Sequence, residues 1–329
     1  MVMLILSGCQ SGNSWISGEP ADNRVDNESA DEQIPGDESA DEQIPGNEFV
    51  DERILDDESA DDESVDERMP DAVVMNFSHG SAENPEGTTI VISIFVSDCD
   101  YIWDMDTETD QETVSNICEY LRIAAAYIES SVQDYGKSAA FITDFERYPD
   151  LAYFVRFRQS VTDEGTQDEM IWEHIRDSVD VSGLMTEYQA DNCIFFVCVN
   201  TDENFTGITC TRDWYEGMPY PYELVYLYNC DSGEINCPAV YAHEILHTFG
   251  AWDYYTDSSE TGYSRAVMKK MEPLLENDIM YTCSDFESGE YLYDRISNTI
   301  SEMTAYYIGL TAQSTWVEQY GLVKSQHSG

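Results

Sequence analysis

Residues 243–253 read His243-Glu244-Ile245-Leu246-His247-Thr248-Phe249-Gly250-Ala251-Trp252-Asp253. Histidines four apart on a helix share one face and can grip a single ion. Imidazole nitrogen is a preferred zinc donor. Glu244 follows the first histidine and can project toward the open side of that metal. There it can take a proton from water and later give it to a leaving amine. Gly250 permits a left-handed turn that ends the helix, so the chain can swing back and bring Asp253 to the same ion. His243, His247 and Asp253 would then be the three protein ligands of a catalytic zinc, with one position open. Of the 5 histidines, the others are His79, His174 and His327. None of these sits where a third ligand is expected, and Asp253 does.

Such a site needs a helix beneath the histidines. Asn236 and Pro238 supply an N-cap and a proline for its first turn. Upstream, the run at 89–96 is β-branched and nearly continuous in apolar residues, as a buried strand is. Asp110 is placed to cap the next helix, in which Val114, Ile117, Cys118, Leu121, Ala125, Ile128 and Val132 recur at helical spacing. Strands are expected at 139–143, 151–158 and 193–199, with weaker ones at 207–212 and 223–228. A short helix is expected at 168–179, with Ile171, Trp172 and Ile175 on one face. Strands alternating with helices predict one α/β (α+β) domain with a mixed sheet.

The pattern H-E-x-x-H-x-x-G-x-x-D resembles the metzincin clan of zinc endopeptidases, in the form with aspartate as third ligand, as in snapalysin-like proteases. Asn277-Asp278-Ile279-Met280-Tyr281 resembles the Met-turn of that clan, its methionine 33 residues after His247. The resemblance spans 88–310; it is sharp at 243–253 and architectural elsewhere. It implies a zincin domain with a twisted mixed sheet, an active-site helix, a Met-turn and a C-terminal helix at 298–308. It also implies one catalytic Zn2+, Glu244 as general base and then acid, and Met280 as a hydrophobic floor. Some members carry a zinc-reaching tyrosine two places after the methionine. Thr282 stands there, so Tyr281 is given no catalytic role. Peptide substrate would pair with an edge strand, for which 207–212 is the candidate, with Arg212, Trp214 and Tyr215 near the cleft.

The wider composition sets the setting. Against 66 Asp+Glu stand 15 Lys+Arg, a net charge of −51. Such a surface repels nucleic-acid phosphates and anionic lipids and favours divalent cations. No run of about 18 apolar residues occurs, so no membrane-spanning helix is expected. The start, Leu6-Ser7-Gly8-Cys9, resembles the lipobox of bacterial lipoproteins. That resemblance implies a signal at 1–9, a diacylglycerol on Cys9 as the sole membrane attachment, and an extracytoplasmic protein, anchored on the outer face or secreted. The apolar run is short and no Lys or Arg precedes it, as a start placed too far downstream would produce. A ten-residue repeat follows, Glu28–Asp37 recurring as Glu38–Asn47, with degenerate copies from Glu48 and Glu58. The 22 acids and three arginines between Glu19 and Asp71 leave too little apolar surface to order the segment. Residues 10–87 therefore read as an acidic tether, 88–312 as the metallopeptidase domain and 313–329 as a tail. Calcium is a secondary expectation: 98–110 is dense in carboxylates, yet it lacks the glycine and final glutamate of an EF-hand loop.

Beyond Cys9, eight cysteines remain: Cys99, Cys118, Cys193, Cys198, Cys210, Cys230, Cys237 and Cys283. In an exported protein this allows up to four disulfides, with Cys230–Cys237 the best-placed pair. No C-x-x-C suggests a thiolate zinc site. The expectation is a surface-anchored zinc endopeptidase acting on peptides or proteins. Its rivals are a binding lipoprotein with a structural metal, with Cys237 or His174 as fourth ligand, and a metallohydrolase of another substrate.

Overall fold

The apolar run at 89–96 becomes the middle of a sheet. In the computed structural model, which describes residues 82, 84–162, 167–212, 223–255 and 265–320, β1 spans Gly87–Ser97 and is buried from Thr89 onward. It pairs in parallel with β2 (Ala139–Ile142) and β3 (Ala152–Arg156) on one side and β4 (Asn192–Val199) on the other. β6 (Leu224–Tyr228) adds in parallel to β4, and the two-residue β5 (Cys210–Thr211) closes that edge antiparallel to β6. The sheet is therefore mostly parallel, in the order β2-β1-β4-β6-β5, and the protein is a mixed α/β fold.

Helices cover both faces. Phe195 and Phe196 are consecutive on β4, so they point to opposite sides. Phe195 meets Trp172 of α2 (Gln167–Ser178), whereas Phe196 stacks on Tyr241 of α4 (Pro238–Thr248). α1 (Glu108–Asp134) joins α4's layer through the Tyr120–Tyr241 ring contact. Burial on both faces explains why β1, β4 and β6 are apolar without alternation. All described residues belong to one compact unit, and no helix among them is long and apolar enough to cross a membrane.

Several local expectations are corrected. The α1 cap is Thr107, whose hydroxyl accepts from Asp110 N, so Asp110 lies in the first turn. The strand expected at 207–212 shrinks to two residues. α3 (Val181–Tyr188) escapes a periodicity search because it buries only Leu184. α5 (Arg265–Leu275) carries Pro273 inside it, a residue that reads as a breaker. The C-terminal helix α6 (Glu302–Tyr307) starts later than 298, because Ser301 caps it and the preceding residues are engaged elsewhere. Asn298 donates to the carbonyls of Thr282 and Ser284, and Thr299 bridges to Asp278. Within 313–329, α7 (Thr315–Tyr320) returns to the core through Val317, and Glu302 accepts from Trp316 N.

The expected Cys230–Cys237 disulfide is not formed, and no disulfide joins any of the eight described cysteines. A hairpin closes that loop instead: β7 (Cys230–Asp231) pairs with β8 (Glu234–Ile235) across Ser232 and Gly233, both at positive φ. Cys237 stands at the N-cap of α4, and its thiol donates to the Cys283 carbonyl at 3.8 Å. Cys193 and Cys198 are fully buried in β4, and burial pushes both thiols far above the usual range, which makes them inert. Cys9, Trp214, Tyr215, His79, His327 and nearly all of the 10–87 segment lie outside the described residues.

Candidate metal centre

α4 carries the two histidines. Pro238 occupies its first turn as expected, but Cys237 holds the N-cap position without a side-chain hydrogen bond. Asn236 is used differently. Its amide Nδ2 shares its two hydrogens among Thr209 Oγ1, the Tyr228 carbonyl and Asp231 Oδ2, which ties the helix entry to the β5–β6 edge. After Phe249 the chain reverses at Gly250, whose φ is +93°. Ala251 N returns to the Leu246 carbonyl, and Asp253 is carried back over the helix. A side chain at Gly250 would be strained by about 1–2 kcal/mol. Gly250→Ala should lower the unfolding midpoint in urea accordingly, with the slope of the transition unchanged; an unaltered midpoint would refute the need for this turn.

The result is a closed triangle of side-chain atoms. His243 Nε2 and His247 Nε2 lie 3.0 Å apart. Asp253 Oδ1 lies 3.0 Å from the first and 3.2 Å from the second. His243 and Glu244 are each 3% exposed and Asp253 8%. The opposite ring nitrogens decide what the triangle holds. His243 Nδ1 faces the Ile279 carbonyl and His247 Nδ1 the Ala251 carbonyl, each at 2.9 Å. A carbonyl only accepts, so both Nδ1 atoms carry hydrogen. In neutral imidazoles both Nε2 atoms then present lone pairs. Asp253 Oδ1 is buried with no hydrogen-bond donor. Three acceptors therefore converge at about 3 Å, and only a cation can satisfy them.

A proton is one such cation. Burial lowers the His243 imidazole, but the Asp253 carboxylate 3.0 Å from its Nε2 outweighs this and holds it above its usual range, because a proton there would be shared between the two. Asp253 is held far below the carboxylate range by both imidazoles, against the effect of burial. A metal ion is the other. Zinc takes imidazole nitrogen and carboxylate oxygen at about 2.0–2.2 Å, which in a tetrahedron separates the donors by about 3.3 Å. The triangle fits that spacing, and the two Nδ1–H···O=C contacts are the outer hydrogen bonds that orient metal-ligating histidines.

Glu244 sits beside the triangle and belongs to the same metal-competent group as the two histidines. Burial raises its carboxyl above the usual range, opposed by both imidazoles and by Thr211. Thr211 Oγ1 donates to Glu244 Oε2 at 2.8 Å and lies 3.0 Å from the Glu244 carbonyl. Thr211 belongs to β5, so the edge strand runs against the helix at Glu244. A cleft of about 150 Å³ opens here, with Val240, His243, Glu244, Cys237, Cys283 and Tyr291 among its walls.

The other candidates are sorted by their contacts. Met280 is fully buried, and the carbonyls on either side of its amide meet the site: Ile279 O receives His243 Nδ1 and Met280 O receives Tyr254 N. The Tyr281 hydroxyl turns away to Glu272. Arg212 packs over the Tyr226 ring and faces Asp168 at 3.7 Å, so it serves α2. Neither His174 nor Cys237 joins the metal-competent group among the described residues. In the acidic loop, Asp98 accepts from the backbone N–H groups of Asp100, Tyr101 and Val161, a loop staple. Sequence reasoning gave no role of their own to Thr211, within the expected edge strand, or to Asp278, within the Met-turn-like segment, because their partners Glu244, Ser301 and Thr304 lie far away in sequence. Compared with models of known protein families and with curated protein sequences, the chain matches none.

Proposed function

We propose that this protein is a zinc-dependent endopeptidase of the metzincin type. The observation that carries the reading is the buried triangle of His243 Nε2, His247 Nε2 and Asp253 Oδ1, with the Glu244 carboxylate beside it. Three ligands and an adjacent carboxylate match a catalytic zinc, whereas a structural zinc takes four protein ligands. When bound, zinc would act as a Lewis acid that polarises a carbonyl and acidifies water.

The chain's own groups would do the rest. Glu244 takes the proton of the attacking water and returns it to the leaving nitrogen. Thr211 fixes the Glu244 rotamer through Oε2. β5 is the last strand of the sheet among the described residues, and an extended peptide would bind there by strand addition. A substrate side chain next to the scissile bond would enter the cleft between Val240, Tyr291 and Cys283. The lipobox-like sequence ending at Cys9 would make it an extracytoplasmic enzyme, anchored on the outer face of a membrane or secreted.

The test is zinc content measured alongside hydrolysis of a mixed peptide library. One zinc per chain with cleavage supports the reading; no zinc after loading and no cleavage overturns it. Within the same assay, Thr211→Val should keep its zinc and lose about tenfold in kcat. A hydrogen bond to a charged group contributes about 1.5–3 kcal/mol, part of which a rotamer shift recovers. An unchanged kcat would remove Thr211 from the machinery.

A further inference from the structure

Asp278 is a deeply buried carboxylate that the proposed chemistry does not use. It is 1% exposed and is spent entirely on neighbouring donors. Met280 N donates to Oδ1 at 2.7 Å. Ser301 N and Thr304 Oγ1 each donate to Oδ2 at 2.8 Å. Thr304 has one hydroxyl hydrogen, and Asp278 takes it. The 3.0 Å contact between Thr304 Oγ1 and the Tyr254 hydroxyl therefore runs from tyrosine to threonine. Tyr254 is the residue after Asp253, and its own N–H donates to the Met280 carbonyl at 3.0 Å.

These bonds close a circuit around the centre. One end of the turn gives the Ile279 carbonyl to His243 Nδ1, and the next carbonyl, of Met280, holds the backbone beside Asp253. We propose that Asp278 is a positioning residue for the metal site, clamping the turn whose two carbonyls orient His243 and the Asp253 loop together. The inference rests on the zinc reading above. A neutral side chain of the same shape tests it, because an amide cannot accept from three donors as a carboxylate does. Burial raises the Asp278 carboxyl, opposed by the Ser301, Met280 and Thr304 donors, so the group is held in place at a cost. Apolar packing at this position would hold a turn without that cost, so the carboxylate's use lies in its directed bonds.

The experiment compares wild type with Asp278→Asn by zinc competition against a chromophoric chelator. It adds the visible spectrum of the cobalt(II) form and the thermal midpoint of the metal-free protein. Asp278→Asn should weaken zinc about 10–100-fold, the range for loss of an outer partner of a metal ligand, and shift the cobalt bands. A lowered midpoint with zinc affinity and cobalt spectrum unchanged would mean a structural residue only, and would overturn the proposal. Should Asp278→Asn fail to fold, Tyr254→Phe and Thr304→Val cut the same circuit and leave the carboxylate in place. Weaker zinc binding in either supports the proposal, and wild-type affinity in both overturns it. Wild type that binds no zinc defeats the metal reading itself and this inference with it. Wild type that binds zinc no better than the variants defeats only the role of Asp278.

Discussion

Glu244→Gln is expected to bind one zinc per chain and to cleave peptides about 10²–10⁴-fold more slowly than wild type. The amide keeps the size and one acceptor oxygen of the carboxylate, so Thr211 can still donate to it and α4 need not move. What disappears is the capacity to hold a proton at the position between water and leaving nitrogen. The loss should fall on kcat, because on the proposed reading Glu244 would meet the reacting atoms while β5 would carry the binding of the peptide. Zinc content by elemental analysis and cleavage of one peptide identified from the library decide the matter. Cleavage within a few-fold of wild type would sink the assigned role, whatever the metal content. Loss of zinc together with cleavage would instead make Glu244 part of the ligand set.

Zinc withdrawal should lower the thermal midpoint by about 8–16 °C. Free zinc at about 1,000 times its Kd adds about 4 kcal/mol to a fold that binds it only when folded. For a domain of this size each kcal/mol moves the midpoint by about 2–4 °C. The physical source is the triangle itself: removal of the ion leaves three converging acceptors, which must then recruit a proton. Asp253→Ala should lose most of the zinc-dependent increment, since it deletes the anionic member of the proposed ligand set. A chelator that leaves the wild-type midpoint unchanged would show that a proton, and no metal, holds His243, His247 and Asp253 together.

Much of this was legible along the chain. The histidine spacing, the glycine before a returning aspartate and the proline at the helix start are local signals. Each rests on backbone geometry within a few residues, and α4, the turn at Gly250 and the approach of Asp253 follow from them. The buried strands β1, β4 and β6 were legible for a similar reason, since doubly covered strands must be apolar throughout. Helix ends were less so. Thr107 rather than Asp110 caps α1, and Ser301 rather than Asn298 opens α6, because several polar residues compete for each cap and the winner depends on distant partners.

By itself, then, the sequence determined which groups can do chemistry and which helix presents two of them. The tertiary structure decided how those groups are satisfied. Only folding brings the Ile279 carbonyl to His243, 36 positions away, and so assigns the lone pair to Nε2. Only the pairing of β5 with β6 carries Thr211 to Glu244. Only the hairpin of β7 and β8 separates the fates of Cys230 and Cys237. Spacing governs what one helix can show on one face, whereas hydrogen bonds between segments far apart in sequence exist once the core has packed.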